Sequence, residues 1–310
     1  MRAKRYLLFQ LRRLRIPWRM VDRAVTGTRQ IAAATVLALV AFASNSILCR
    51  LALASSRIDP ASFTAVRIVS GAMVLALIAA ITARPRAAVA TARTRAGWTS
   101  GAFLYLYAIA FSLSYLSLSA GTGALILFGC VQATMLLVAL RSGERPRALE
   151  WIGLGVAVAG LVYLVLPGLE APSPLGALLM AIAGVAWGLY SLRGRGSQQP
   201  LEDTARNFLC AVPFAVVTSL ASLSRAHLSS DGVALAVASG AISSGVGYVI
   251  WYAALRGLTA TRAATVQLSV PIIAAMGGIV FLGETLTMRL VTAAAMILGG
   301  VGVALAGRRR

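Results

Sequence analysis

Apolar and polar residues alternate along this chain in long blocks. After residue 29, windows of about 18 to 23 mostly apolar residues recur to the end, each long enough to cross a hydrocarbon core as an α-helix. Ten such spans are predicted, over residues 31–53, 62–82, 97–117, 120–140, 150–167, 173–192, 204–223, 233–255, 261–281 and 288–306. The segments between them are short and rich in helix breakers, among them "RIDP" at 57–60, "ARPR" at 83–86, "PGLEAPSP" at 167–174 and "GRGSQQP" at 194–200. No extramembrane domain fits in these connections. The predicted fold class is an all-α polytopic membrane protein with ten transmembrane helices.

Composition agrees with that pattern. Of 310 residues 59% are hydrophobic and 12% charged, with a mean hydropathy of +0.82, which excludes a water-soluble globule. The 29 Lys and Arg against nine Asp and Glu give a formal charge of +20. In a polar protein that balance would suggest nucleic acid; in this apolar chain it points to the bilayer and no nucleic acid is expected. Placing the amino terminus inside puts nine cations in residues 1–29 and most others in the inner loops, leaving Arg50, Arg57, Arg225 and Arg289 outside. The positive-inside bias therefore predicts both termini to be cytoplasmic. Within residues 1–29, Leu7, Leu8, Leu11, Leu14 and Trp18 fall at helical spacing. The segment reads as an amphipathic helix on anionic inner-leaflet lipids, as a plain basic tail, or as sequence ahead of a true start at Met20. It does not resemble a cleaved signal peptide.

Candidate chemistry is sparse. Cys49, Cys130 and Cys210 each lie inside an apolar stretch, as packing residues do, and the single histidine, His227, sits in a polar loop. A histidine metal site, a Ser-His dyad, a Walker loop and a GxSxG elbow are all lacking, and no carboxylate falls at mid-span. No catalytic residue, metal or other cofactor is predicted, and the chain is not expected to be an enzyme.

Sliding the chain against itself by 140 residues reveals an internal repeat over residues 110–166. Phe111 meets Trp251, "SA" at 119–120 meets "TA" at 259–260, Ala124 meets Ala264, "GE" at 143–144 meets "GE" at 283–284, and Gly160 meets Gly300. Pro60 also falls on Pro200; the first helix needs an offset nearer 143, which pairs Asn45 with Gly188 and Arg50 with Arg193. Each repeat holds five spans, an odd number, so the second must enter the membrane upside down. The predicted organisation is a basic cytoplasmic segment at 1–29, a first five-helix repeat at 30–168 and a second at 169–310. Inverted repeats of this kind are a transporter signature, with a central site exposed alternately to each side.

Ten helices in two repeats, each with an apolar run, then "GE", then a Gly-rich last helix, together with "WG" at 187–188, resemble the EamA-type branch of the drug/metabolite transporter superfamily. Within it the chain looks most similar to the bacterial aromatic amino acid exporters of the inner membrane. It departs from the pattern with "SN" at 44–45 in place of "WG", and with Val131 where the second repeat has Pro271. The resemblance implies a basket of helices one to four and six to nine around a central cavity, with helices five and ten outside. A small-molecule substrate is the expected partner, and a monomer is favoured with the oligomeric state left open by the sequence.

Residues near the middle of the basket helices are then the substrate candidates. They are Asn45 on helix one, Tyr105, Tyr107 and Phe111 on helix three, and Phe128 and Gln132 on helix four. The second repeat adds Trp187 and Tyr190 on helix six, Ser244, Tyr248 and Trp251 on helix eight, and Gln267 and Ser269 on helix nine. An amide in hydrocarbon needs a partner, so Asn45, Gln132 and Gln267 face either substrate or a neighbouring helix. Phe103, Tyr107, Phe111 and Tyr115 form one stripe, which lines the cavity or faces lipid, while Trp98 and Trp151 read as interfacial anchors. Gly245, Gly247 and Pro271 mark places for a break or bend, or for close packing. Arg67 and Arg206 either meet a substrate carboxylate or lie near helix ends and snorkel. Glu144 and Glu284 read as caps or partners of nearby arginines. The first span lacks the Glu found in related small multidrug exporters, so facilitated efflux stands level with proton antiport. The expected function is alternating-access export of amino acids or similar neutral metabolites, aromatic amino acids first. Export of lipophilic cations, and a non-transporting pore or scaffold, are the alternatives.

Overall fold

The computed structural model describes residues 27–82, 95–141, 148–166, 168, 171–194, 197, 199–255, 257–258 and 266–307. The basic segment up to residue 26, the loop cations at 84, 86 and 93, the first "GE" with Glu144, Arg262 and the terminal arginines lie outside the described residues. Among the described residues ten main helices follow one another: α1 (Thr28–Ala54), α2 (Pro60–Thr82), α3 (Arg95–Ser114), α4 (Ala120–Arg141), α5 (Ala148–Val165), α6 (Pro174–Gly194), α7 (Pro200–Ala221), α8 (Ser230–Leu255), α9 (Val270–Leu282) and α10 (Met288–Gly307). Among the described residues α1, α2 and α5 to α8 are long and apolar enough to cross a membrane outright. Apolar stretches of α4, α9 and α10 are shorter.

Local chemistry sets the helix starts. Asp59 accepts the backbone N–H groups of Ala61 and Ser62 at 3.1 and 3.0 Å, capping α2 directly ahead of Pro60. Ser119, Ser173, Ser229 and Thr287 cap α4, α6, α8 and α10 in the same way, accepting from Thr122, Gly176, Gly232 and Leu290. Proline opens α2, α6 and α7, where its missing N–H costs nothing.

Two elements bear on the expected breaks. The ninth span is helical at 266–267, turns at 268–269 and is helical again from Val270, so it is interrupted directly ahead of Pro271, which stands in the first turn of α9. Near Gly245 the eighth helix does not break: it widens into a π-helix over Ala238–Val246 and returns to α at Gly247. Within this segment the helices pack closely, and a side chain at Gly240 would collide with the Arg67 carbonyl and the Ser70 hydroxyl of α2.

The helix contacts obey the predicted symmetry. Exchanging α1–α5 with α6–α10 maps the main packings onto one another: α1 on α9 becomes α6 on α4, α2 on α8 becomes α7 on α3, and α2 on α7, α4 on α9 and α5 on α10 map onto themselves. The two repeats are nonetheless not separate bodies. Most packing joins helices from different repeats, giving one cluster of α1, α2, α8 and α9 and its mate of α3, α4, α6 and α7. These clusters meet along α2–α7 and α4–α9, so relative motion of the halves means cluster against cluster.

Helices α5 and α10 pack on each other outside. Their backbones touch where Gly153 faces Gly300 and Ala304, and any Cβ at Gly153 or Gly300 would strike the opposite main chain. Trp151, Ile152, Val158 and Val162 on α5 stay exposed, as a lipid-facing surface does. Cys49 and Cys210 are buried and Cys130 half-buried, and none of the three is in a disulfide among the described residues.

Candidate functional site

Aromatic side chains from five helices gather where the two clusters meet. Trp187 of α6 is central: its ring lies 4.9 Å from Tyr107 of α3, 5.3 Å from Tyr190 one turn along α6, and 5.5 Å from Tyr248 of α8, which it stacks upon at 16°. Phe42 of α1 adds edge contacts to Tyr248 and Trp251, and Phe208 of α7 contacts Tyr248 from the other side. Phe111 and Tyr115 continue the α3 stripe beyond Tyr107, both buried. The stripe therefore faces inward, not lipid. Pairs of this geometry stabilise by about 0.5–1.5 kcal/mol beyond their burial.

Into this cluster projects Arg67 of α2, only 3% exposed and seven residues, about 10 Å, inside the end of its helix. Its Nη2 donates to the Tyr107 hydroxyl at 3.1 Å, and its guanidinium carbon lies 5.3 and 5.1 Å from the centroids of the Tyr107 and Phe111 rings. Nη1 is buried without a hydrogen-bond partner. The residue does not snorkel. Arg206, by contrast, six residues into α7, has a 37% exposed side chain and pairs with Asp203 of the first turn at 2.8 Å.

Other predicted residues divide into two groups. Asn45 on α1 accepts from Ser239 at 2.8 Å and Ser244 at 3.4 Å, tying α1 to the π segment of α8. Tyr105 points the other way from Tyr107, stacking on Phe214 of α7 and sharing a short hydrogen bond with Thr218, so it lies outside the ring cluster. Trp98 also packs edge-on against Phe214, while Trp151 is 51% exposed. Phe128 is buried and Gln132 half-buried on α4. Gln267 lies in the short helical stretch at 266–267 and Ser269 in the turn ahead of α9, where its hydroxyl donates to the Val266 carbonyl at 2.6 Å. Sequence reasoning did not single out Phe42 or Phe208, although Phe42 shares a helix face with Asn45 three residues on.

A polar layer closes one end of the bundle. Glu284, freed from α9 by Gly283 at φ +65°, aims both carboxylate oxygens at the Ala120 N–H that opens α4, at 3.0 and 2.9 Å. Arg50 of α1 lies beside it, Nε 3.4 Å from Oε1 without an aligned hydrogen bond, and donates through Nη1 to the carbonyls of Tyr115 and Leu116. Arg289 donates to the Leu166 carbonyl. Asp59 also accepts the His227 N–H, and Ser229 bonds the Arg57 carbonyl, joining the α1–α2 turn to the α7–α8 connection. Partial burial pushes the Asp59 pKa up, but the hydrogen bonds from Ser62, His227 and Ala61 outweigh it and hold the carboxyl below the ordinary carboxylate value. A cavity of about 390 Å³ opens within this layer, lined by Arg50, Ser119, Thr122, Glu284 and Thr287 among others. The turns after α1, α3, α5, α7 and α9 thus share one end, which makes the second repeat inverted relative to the first.

Among the described residues no group of three or more His, Cys, Asp or Glu converges as a metal site would require. The arrangement is suited to holding a solute between two helix clusters, and these features together define a multi-pass membrane transporter. Residues 174–306 match the EamA-like transporter family. An uncharacterized protein of Pseudomonas aeruginosa is 50% identical over 274 residues, 88% of this chain and 94% of that one. The threonine/homoserine exporters RhtA of Escherichia coli K12 and Salmonella typhimurium LT2 are each 32% identical over 56% of this chain, which spans 60% of their length. A crystal structure at 21% identity superposes with a TM-score of 0.62, covering 89% of this chain and 99% of that one, and so has the same fold. The match to the EamA-like transporter family thus covers α6 to α10.

Proposed function

We propose that the protein exports amino acids, aromatic ones foremost, across the bacterial inner membrane by alternating access between the two helix clusters. The observation that carries this reading is the Tyr107, Trp187 and Tyr248 ring cluster, built from helices of both repeats at the cluster junction. Stacked rings with a few hydroxyls suit a flat amphipathic solute. Because the rings touch one another, entry of such a solute requires α3 and α6 to part from α8. Kinship with threonine/homoserine exporters supports amino acids as the class. A buried cation beside the rings disfavours lipophilic cations as cargo, through like-charge repulsion in a medium of low dielectric.

In this reading the protein acts as a monomer, with both termini cytoplasmic and the basic amino-terminal segment against anionic lipids. The end closed by Arg50, Glu284 and Asp59 is then the outer one, in keeping with its few cations. The two five-helix units divide near residue 168. The remaining sequence candidates, Gln132, Gln267 and Phe128, line the path beside the rings in this proposal. Uptake of labelled phenylalanine, threonine and a quaternary ammonium dye into proteoliposomes, with and without a pH gradient, tests it. Saturable phenylalanine flux is expected; dye flux alone would overturn the amino acid assignment, and non-saturable flux would favour a pore.

A further inference from the structure

Arg67 poses an energetic problem that the fold alone does not solve. Its side chain is 97% removed from solvent in the middle of an aromatic cluster, within the membrane-spanning part of α2. A buried cation is tolerated when it is paired, and unpaired it costs several kcal/mol. The ion pairs found among the described residues are Arg50 with Glu284 and Arg206 with Asp203, all four side chains partly exposed. The described carboxylates, at 59, 150, 202, 203, 231 and 284, all stand in turns or in the first turn of a helix. Tyr107 supplies one hydrogen bond, and two ring faces supply cation–π attraction. Nη1 remains unbonded.

The surroundings are built around this cation rather than adjusted to it. Gly240 lets the π segment of α8 touch the Arg67 backbone, which fixes the helix carrying it. At the offset of 140 residues the second repeat has Asn207, whose amide donates to the Tyr190 hydroxyl at 3.5 Å. The symmetry-related positions thus share a tyrosine partner, while the charge occurs in the first repeat alone. A guanidinium presents a planar fork of donors that matches a carboxylate, and one bond to Tyr107 leaves most of that fork unused.

We infer that Arg67 is the receptor for the carboxylate of the transported solute, with the Tyr107, Phe111 and Trp187 rings holding the apolar part beside it. The solute supplies the missing anion, so bare cations are excluded and carboxylic acids are admitted even without an amino group. This rests on the transport reading above but makes a narrower claim, and the two fail differently.

Ligand-induced thermal shift and Trp fluorescence of the purified full-length protein in detergent separate them. The probes are L-phenylalanine, 3-phenylpropionate and phenethylamine, which carry both groups, the carboxylate alone and the amine alone. Wild-type protein should bind the first two and not phenethylamine. Arg67→Met should weaken the carboxylate-bearing probes at least tenfold and melt, without ligand, no lower than wild type, because an uncompensated buried charge has been removed. Arg67→Lys should keep part of the affinity. Binding of 3-phenylpropionate but not phenylalanine, lost in Arg67→Met, would uphold the carboxylate receptor while sinking the amino acid assignment. Undiminished binding in Arg67→Met, binding of phenethylamine as tight as phenylalanine, no binding of any probe, or a large drop in the ligand-free melting temperature of both variants would overturn the inference.

Discussion

Replacing Glu284 by alanine removes interactions that join the two helix clusters at one end of the bundle. The carboxylate caps α4 from another element, accepting the Ala120 N–H at 3.0 and 2.9 Å, and loss of such a cap costs about 0.5–2 kcal/mol. The contact with Arg50, with side chains 21% and 14% exposed, lies within the cluster of α1 and α9 and does not join the two clusters. The cap therefore stabilises the closed end by about 1–2 kcal/mol, or about a 5- to 30-fold bias in population at 1.4 kcal/mol per decade. A cysteine placed at Ala124, fully buried one turn deeper on α4, reports the opening through labelling by a membrane-impermeant maleimide in a background lacking Cys49, Cys130 and Cys210. Glu284→Ala should accelerate labelling about 5- to 30-fold. Glu284→Gln, whose amide oxygen still accepts from Ala120, should do so only a few-fold. An unchanged labelling rate in Glu284→Ala, with transport intact, would refute the idea that this contact holds the end shut.

Further outcomes follow from the same geometry. Trp187→Ala should weaken phenylalanine binding about 3- to 10-fold, as expected for losing its stacked partners, and a direct binding titration checks it. Gly300→Leu should abolish monodisperse protein in size-exclusion chromatography because its side chain meets the α5 backbone, whereas Gly299→Ala, facing open space, should behave as wild type. The depressed Asp59 pKa means that its share of stability is present above the unfolded value of about 4 and is lost as pH falls through the lower folded value. Melting temperature measured from pH 6 to pH 3 should therefore fall more steeply in wild type than in Asp59→Asn.

Much of the fold was legible because bilayer thickness imposes a length on every span, and hydropathy reads that length directly. The repeat offset of 140 residues was legible for the same reason that the contact map is symmetric: equivalent helices need similar small residues at equivalent contacts, as at Gly160 and Gly300. What sequence did not disclose is how the repeats interleave, since a helix carries no signal for which of several apolar neighbours it will choose. Pro271 flagged an interruption of the ninth span, but not its position at 268–269, because the apolar run continues through that turn. Tyr105 and Tyr107 look equivalent in the chain, yet a difference of two positions turns them to different faces, and only the inner one meets Trp187. Arg67 was ambiguous because seven residues from a helix start is within reach of a snorkelling side chain, and the tilt and packing of α2 against α8 decide its direction.

The central claim is that a solute carrying a carboxylate and an apolar body moves between the clusters past Arg67 and Trp187. Counterflow of labelled L-phenylalanine in proteoliposomes loaded with unlabelled phenylalanine tests it most directly, with 3-phenylpropionate and phenethylamine as competitors. The account predicts saturable counterflow that 3-phenylpropionate inhibits, phenethylamine does not, and Arg67→Met abolishes. Counterflow inhibited by phenethylamine and preserved in Arg67→Met would contradict it.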